Sequence, residues 1–391
     1  MTDTQRPASP WQLFLIFLRL GLTSFGGPAA HIGYFHDEFV KRRRWFSDSG
    51  YAEIVALCQL LPGPASSQVG LTIGLLRGKS AGAFAAWLGF TLPSACLMAL
   101  FAFGLASWAD TGSRGWIDGL KLFVVAVVAQ AVWQMGKSLC PDKPRVAMAI
   151  GVAAALLLVG STWAQIVALL VVAAAGVWLR LPSQKASDDL HVPLSSARPM
   201  LFALAFAVLL AVSLLPFAQG SLSWLAAELY RAGALVFGGG HVVLPWLQEG
   251  FVSSGSMSAD TFLAGYGVAQ AVPGPLFTFA SFLGGVDNGA LGALIAVAAV
   301  FLPGTLLVFA GLPLWGWVRQ HDAARSALAG VNAGVVGLLL AALYDPVWTS
   351  AVHGPGDLAF ALVFWLGLWS GKVPVWVLAP LSALAGAIVL G

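Results

Sequence analysis

"RLGLTSFGGPAAHIGYF" occupies Arg19–Phe35, and "RAGALVFGGGHVVLPWL" occupies Arg231–Leu247. In each, an arginine precedes a phenylalanine by six residues, glycines follow at once, and a histidine comes soon after. Arg19 and Arg231 are 212 residues apart, and Phe25-Gly26-Gly27 recurs as Phe237-Gly238-Gly239 at that same offset. Outward from these stretches the correspondence continues. Gln59-Leu60-Leu61-Pro62-Gly63-Pro64 returns as Gln270-Ala271-Val272-Pro273-Gly274-Pro275, offset by 211. Leu92-Pro93 returns as Leu302-Pro303 at 210, and Gly119 as Gly330 at 211. Ordered matches that drift by only two residues mark an internal duplication.

The composition sets the surroundings of these motifs. Hydrophobic residues make up 59% of the 391 and charged residues only 9%, with a mean hydropathy of +0.84. A soluble domain carries roughly 25% charged residues, so this chain cannot coat itself for water. The reading is an all-α polytopic membrane protein, and the 16 tryptophans and 45 glycines agree with it. Sixteen of the 20 Lys and Arg precede Pro199, an asymmetry that speaks to topology. No basic face with interleaved aromatics points to nucleic acid. Cys58, Cys96 and Cys140 are widely spaced in or beside apolar runs and read as small buried residues. The first apolar stretch is interrupted by Arg19, which argues against a cleaved signal peptide.

Apolar stretches of spanning length, about 20 residues, run at 80–108, 116–136, 146–161, 162–181, 200–218, 290–316, 328–344, 357–371 and 373–390. Four others, at 11–36, 52–76, 221–247 and 260–285, carry Gly or Pro at their centres, where a continuous helix breaks. The organisation expected is a cytoplasmic N-terminus (1–10), a first repeat (11–181), a polar cytoplasmic linker (182–199), a linking transmembrane helix (200–218) and a second repeat (219–391). The linking helix belongs to neither copy and reverses the side from which the second one enters. Two homologous halves as an inverted repeat is an architecture of secondary transporters.

Charges support that topology. With the N-terminus cytoplasmic, Arg77, Lys79, Lys137, Lys143, Arg145, Arg180, Lys185, Arg198, Arg319, Arg325 and Lys372 fall inside, and Arg114 falls outside. Lys41-Arg42-Arg43-Arg44 falls inside if the Arg19 stretch re-enters. About ten residues flank Leu61-Pro62-Gly63-Pro64 on each side, so each arm reaches ~15 Å, half of the ~30 Å hydrocarbon core. Nine crossings with four broken, re-entrant helices is the preferred reading, and thirteen crossings the rival.

Irregular backbone at membrane depth survives only where protein or a watery cavity satisfies it. The expected substrate-binding constellation is therefore Arg19, Phe25, Gly26, Gly27, His31, Gln59, Pro62, Gly63 and Pro64, with Arg231, Phe237, Gly238, Gly239, His241, Gln270, Pro273, Gly274 and Pro275 from the second copy. Glycines let backbone N–H groups approach a ligand, and half-helix N-termini favour anions. A guanidinium fork suits a tetrahedral oxyanion; snorkelling, or pairing of Arg231 with Glu228, is the bland alternative. His31 and His241 can relay a proton, help bind an anion or cap a helix. Lys121 is a further candidate, or a partner of Asp118. Glu38 and Glu249 correspond at an offset of 211 and read as coupling-proton carriers or as acceptors for backbone N–H groups. No clustered metal ligands and no G-x-x-x-x-G-K-S/T loop occur, so no metal, cofactor or catalytic residue is expected.

"FGGPAAHIGYFHDEFV", "QLLPGP" and "TLPS", with "FGGGHVVLPWLQEGFV", "QAVPGP" and "FLPGTLLVF", resemble the chromate ion transporter family in its long, two-domain form, from about Trp11 onward. The resemblance implies a multi-pass protein of the bacterial inner membrane that exports chromate and confers chromate resistance, with its halves in opposite orientations. The expected partners are the chromate anion, or sulfate in its place, and the lipid bilayer; a homodimer is one arrangement open to it. A general sulfate-type oxyanion permease and a membrane-embedded lipid-headgroup enzyme are the alternatives. The second copy reads Phe-Gly-Gly-Gly where the first reads Phe-Gly-Gly-Pro, so the halves need not be equivalent.

Overall fold

The computed structural model describes residues 8–25, 27–108, 115–159, 162–181, 199–236 and 240–390. Gly26, Phe237, Gly238, Gly239, Arg114 and the 182–198 stretch of the expected linker lie outside the described residues. Among those described, every regular element is helical. The first copy supplies α1 (Pro10–Thr23), α2 (Gly27–His36), α3 (Asp48–Leu60), α4 (Ala65–Trp108), α5 (Gly115–Leu139), α6 (Lys143–Val159) and α7 (Thr162–Trp178). Then α8 (Pro199–Ser213) stands alone. The second copy supplies α9 (Leu222–Leu235), α10 (Val243–Gln248), α11 (Ala259–Ala271), α12 (Phe279–Gln320), α13 (Asp322–Ala342), α14 (Pro355–Ser370) and α15 (Val375–Val389). Element by element, the second series repeats the first.

Local chemistry sets the helix starts. The Ser9 hydroxyl accepts from the Gln12 N–H and Pro10 takes the first helical position, where no N–H is needed. Ser221 caps α9 the same way, accepting from Trp224 N–H at 3.1 Å. Ser47 caps α3 through Gly50 N–H at 3.1 Å.

The longest helices are not straight. α4 breaks at Gly78 (φ −141°) and Lys79 (φ 55°), and α12 at Asn288 (φ −137°) and Gly289 (φ 63°). A β carbon on Gly74 would lie 2.5 Å from the Gly82 carbonyl, and one on Gly284 would lie 2.3 Å from that of Gly292. Eight residues of continuous helix would separate such positions by ~12 Å, so the chain folds back at each break. The arms flanking the first Pro-Gly-Pro, α3 and the 65–77 part of α4, therefore span ~20 Å apiece, short of the ~30 Å core.

Among the described residues, four apolar segments are long enough to cross a bilayer: Ala65–Gly104, Gly115–Leu139, Leu276–Leu312 and Asp322–Trp348. Their longer stretches coincide with four of the nine expected crossings. The other five expected crossings are built as α6, α7, α8, α14 and α15, apolar helices of 15–17 residues.

The chain forms two compact units, and neither is one sequence half. The first unit comprises residues up to Leu100, Gln184–Gly240 and Val272–Gln320. Its core is aromatic: Phe17, Phe35, Phe39 and Phe90 are buried, with Phe17 and Phe39 stacked at 5.2 Å. The second unit comprises Phe101–Ser183, His241–Ala271 and residues from His321 on. Helices there approach at glycines. A β carbon on Gly119 of α5 would lie 2.2 Å from the Ser382 carbonyl of α15, and one on Gly330 of α13 would lie 2.0 Å from the Val172 carbonyl of α7. Small residues at crossings are how helices pack without a hydrophobic drive between them.

Candidate functional site

The ends of α1 and α9 and both Pro-Gly-Pro triplets fall in the first unit, and two hydrogen bonds join them across the copies. α1 ends where Ser24 turns extended (φ −91°, ψ 104°), and α9 ends where Val236 does the same (φ −85°, ψ 125°). The Ser24 carbonyl accepts the Gly274 N–H at 2.9 Å, and the Val236 carbonyl accepts the Gly63 N–H at 2.7 Å. Each Pro-Gly-Pro is thereby tied to the Phe-Gly-Gly helix of the other copy. Proline has no N–H, so the glycine is the one donor in each triplet. Gly63 (φ +123°) and Gly274 (φ +98°) are left-handed, and each is buried against the opposite copy. A β carbon on Gly63 would meet Gly304 Cα at 3.0 Å, and one on Gly274 would meet Ser94 Oγ at 2.8 Å. Pro64 and Pro275 are buried; Pro62 and Pro273 are half-buried.

The remaining expected residues are distributed unequally. Phe25 is half-buried, and Gly27 (φ 77°) opens α2. His31 is fully buried on α2: Nδ1 lies 3.3 Å from Ser66 Oγ, its ring stands edge-on to Phe90, and Nε2 has no hydrogen-bond partner. Arg19 is exposed on α1, and Gln59 is exposed on α3. Arg231 donates through Nη2 to Glu228 at 2.6 Å, the pairing that was its bland alternative, while its Nε is buried without a partner. His241 and Gln270 belong to the second unit. There His241 Nδ1 lies 2.9 Å from the Tyr266 hydroxyl, and Gln270 hydrogen-bonds the same side chain.

The charged candidates are paired. Lys121, in the second unit, bridges Asp118 at 2.8 Å and Asp260 at 2.9 Å, so the suspected partner is joined by one from α11. Glu38 accepts from Arg43 Nε at 2.7 Å and also from Arg42. Beside it, Asp37 pairs with Lys41 at 2.7 Å, and that hydrogen bond holds its carboxyl below the usual carboxylate range. Glu249 heads the equivalent wide helical turn, Glu249–Ser253.

Sequence reasoning missed a set of buried polar side chains around the first-copy breaks: Ser24, Ser66, Ser67, Gln68, Thr91 and Ser94, each 4% exposed or less. Gln68 Nε2 donates to the Pro62 carbonyl at 2.9 Å and reaches the Gly304 carbonyl at 3.4 Å. Aligning the copies exposes the signal, because Pro62-Gly63-Pro64 is followed by Ala-Ser-Ser-Gln and Pro273-Gly274-Pro275 by Leu-Phe-Thr-Phe.

Helices of this apolarity, duplicated and broken at matched glycine and proline motifs, define a polytopic membrane protein of the transporter class. The chromate transporter family model matches residues 11–179 and again 223–388, and the chain belongs to that family. A chromate transport protein of Pseudomonas aeruginosa is 29% identical, over 98% of this chain and 93% of its own. A chromate transport protein of Cupriavidus metallidurans is 28% identical, over 89% and 85%. An uncharacterized transporter of Methanocaldococcus jannaschii is 26% identical, over 85% and 83%. No solved structure matches. Family membership supports a role in chromate transport, with the chromate anion as substrate.

Proposed function

We propose that the protein is a secondary transporter that exports chromate across the inner membrane and so confers chromate resistance. The observation that carries this reading is the pairwise joining of the four breaks, Ser24 to Gly274 and Val236 to Gly63. Irregular backbone of both copies meets in one compact unit, beside buried side chains whose donors have no partner in the protein. In this reading the repeats at 11–181 and 219–391 are inverted, with the 182–199 linker cytoplasmic and the 200–218 segment reversing the entry side. Half-helix N-termini and backbone N–H groups compensate the anion, and Arg19 draws it toward the breaks. Rocking of one repeat against the other alternates access. An inside-negative potential favours outward movement of a dianion, at ~2.3 kcal/mol per charge per 100 mV.

Chromate uptake into everted membrane vesicles tests this. Uptake should follow the imposed potential, collapse with an ionophore and fall at least tenfold in Arg19→Ala. Equal inhibition by sulfate would widen the substrate class to a general oxyanion permease. No uptake in well-energised vesicles containing the protein would refute export.

A further inference from the structure

We propose that the oxyanion is held by the first copy alone, at a donor set formed by Ser24, His31, Ser67 and Thr91 around the start of α4. The matching position of the second copy is filled with aromatic side chains and holds none. The proposal rests on the transport reading above and assigns that reading one site per chain.

Ser24 Oγ, His31 Nε2, Ser67 Oγ and Thr91 Oγ1 are all buried without a hydrogen-bond partner, in residues exposed by 0%, 0%, 4% and 2%. A buried donor left unpaired costs stability and calls for a partner. Contacts join the segments that carry these groups. The Ser24 carbonyl binds Gly274, and Gly274 packs on Ser94 Oγ and the Phe90 carbonyl. Phe90 adjoins Thr91 in sequence, and its ring packs edge-on against His31 at 5.3 Å. His31 Nδ1 is held against Ser66 Oγ on the first turn of α4, next to Ser67. In the tautomer where the Ser66 hydroxyl donates to Nδ1, Nε2 carries the ring proton and is a donor, on the side of the ring near the Ser24 backbone. Ser67 and His31 thus adjoin the first turn of a helix whose partial positive charge also favours an anion, and Ser24 and Thr91 sit on segments linked to it through Gly274 and Phe90.

The second copy keeps a threonine and a histidine at the matching positions but loses the other hydroxyls. Ser24, Ser66, Ser67, Gln68 and Thr91 correspond to Val236, Phe277, Thr278, Phe279 and Phe301, at offsets of 210 to 212. Thr278 retains a hydroxyl, but it donates to the Pro275 carbonyl at 2.8 Å. Phe277, Phe279 and Phe301 are 2%, 0% and 2% exposed, and the Phe277 and Phe301 rings pack at 6.0 Å. From Val272 to Leu312, among the described residues, no side-chain polar atom is buried without a partner. The His31 counterpart, His241, has the Tyr266 hydroxyl beside it. The duplicated breaks thus share a backbone and differ in chemistry.

The test is chromate binding to the purified full chain in nanodiscs, by equilibrium dialysis, with sulfate run in parallel and apparent Tm read for each variant. We expect one chromate per chain. Ser67→Ala and Ser24→Ala should each weaken binding roughly tenfold to a hundredfold without lowering the anion-free Tm, because neither hydroxyl has a protein partner to lose. Thr278→Ala should leave the affinity unchanged. Two equivalents per chain, or equal losses from Ser67→Ala and Thr278→Ala, would overturn the asymmetry while vesicle transport persisted. A lower anion-free Tm in both Ser67→Ala and Ser24→Ala would make these hydroxyls structural and also overturn it. Absence of both binding and potential-driven uptake in the wild type would overturn the transport reading together with this site.

Discussion

Gly63 and Gly274 show how much a single residue can fix. Each holds a left-handed backbone between two prolines, sends its one N–H to the other copy and would bring a β carbon into tight contact with that copy. A side chain in that conformation costs on the order of 1–3 kcal/mol before any clash is counted. Gly63→Ala and Gly274→Ala should therefore lower the apparent Tm in detergent, by similar amounts because the two sites are equivalent. Gly33→Ala, with nothing within 4 Å of the added methyl, should leave it unchanged. If the first two variants melt like the third, the breaks are not anchored by these contacts. The arginines behave differently from the glycines. Arg231 is committed to Glu228, whereas Arg19 is exposed on α1. Equal spacing in sequence has not given the two residues equal surroundings.

At the scale of elements, the fold-backs inside α4 and α12 set how far each re-entrant arm reaches. Each reverses at a two-residue break with nearly the same dihedral angles, Gly78-Lys79 and Asn288-Gly289, in the gaps between the apolar stretches 52–76 and 80–108 and between 260–285 and 290–316. In the second copy a glycine takes the left-handed position; in the first it is Lys79 at φ 55°. Lysine is strained there in a way glycine is not. Lys79→Gly should raise the apparent Tm, by the equivalent of about 1 kcal/mol, and Gly289→Lys should lower it. An unchanged Tm in both would mean that the turn relaxes around either residue. The duplication itself was legible at this scale, since the glycine and proline motifs recur at offsets of 210 to 212. The positions of the fold-backs were legible too, as gaps between apolar stretches; their two-residue tightness was not, because glycine inside an apolar run reads equally as a close helix crossing.

At the scale of the molecule, the copies exchange partners. Pro-Gly-Pro of one copy binds the Phe-Gly-Gly helix of the other, and in the second unit α5 crosses α15 while α13 crosses α7. Equivalent contacts made in both directions are what a two-fold relation between repeats produces. In the inverted arrangement we propose, equivalent residues lie on opposite faces of the membrane. Lys41 and Ser253, both exposed and 212 residues apart, test it. In a cysteine-free background, a membrane-impermeant maleimide should label Lys41→Cys from one side of sealed vesicles and Ser253→Cys from the other. Labelling of both from one side would refute the inversion.

The sequence by itself determined the membrane environment, the helical class, the two copies and the four places where helices break. Those follow from composition, from the absence of an N–H in proline and from glycine's freedom at positive φ, all of which act on neighbouring residues. Only the tertiary structure decided that the breaks join across copies, that the compact units cut through both halves, and that buried hydroxyls gather around one set of breaks. Such choices depend on which helix faces meet after the chain has travelled some 200 residues, and hydrogen bonds such as Gly63 to Val236 exist only once that packing has been made.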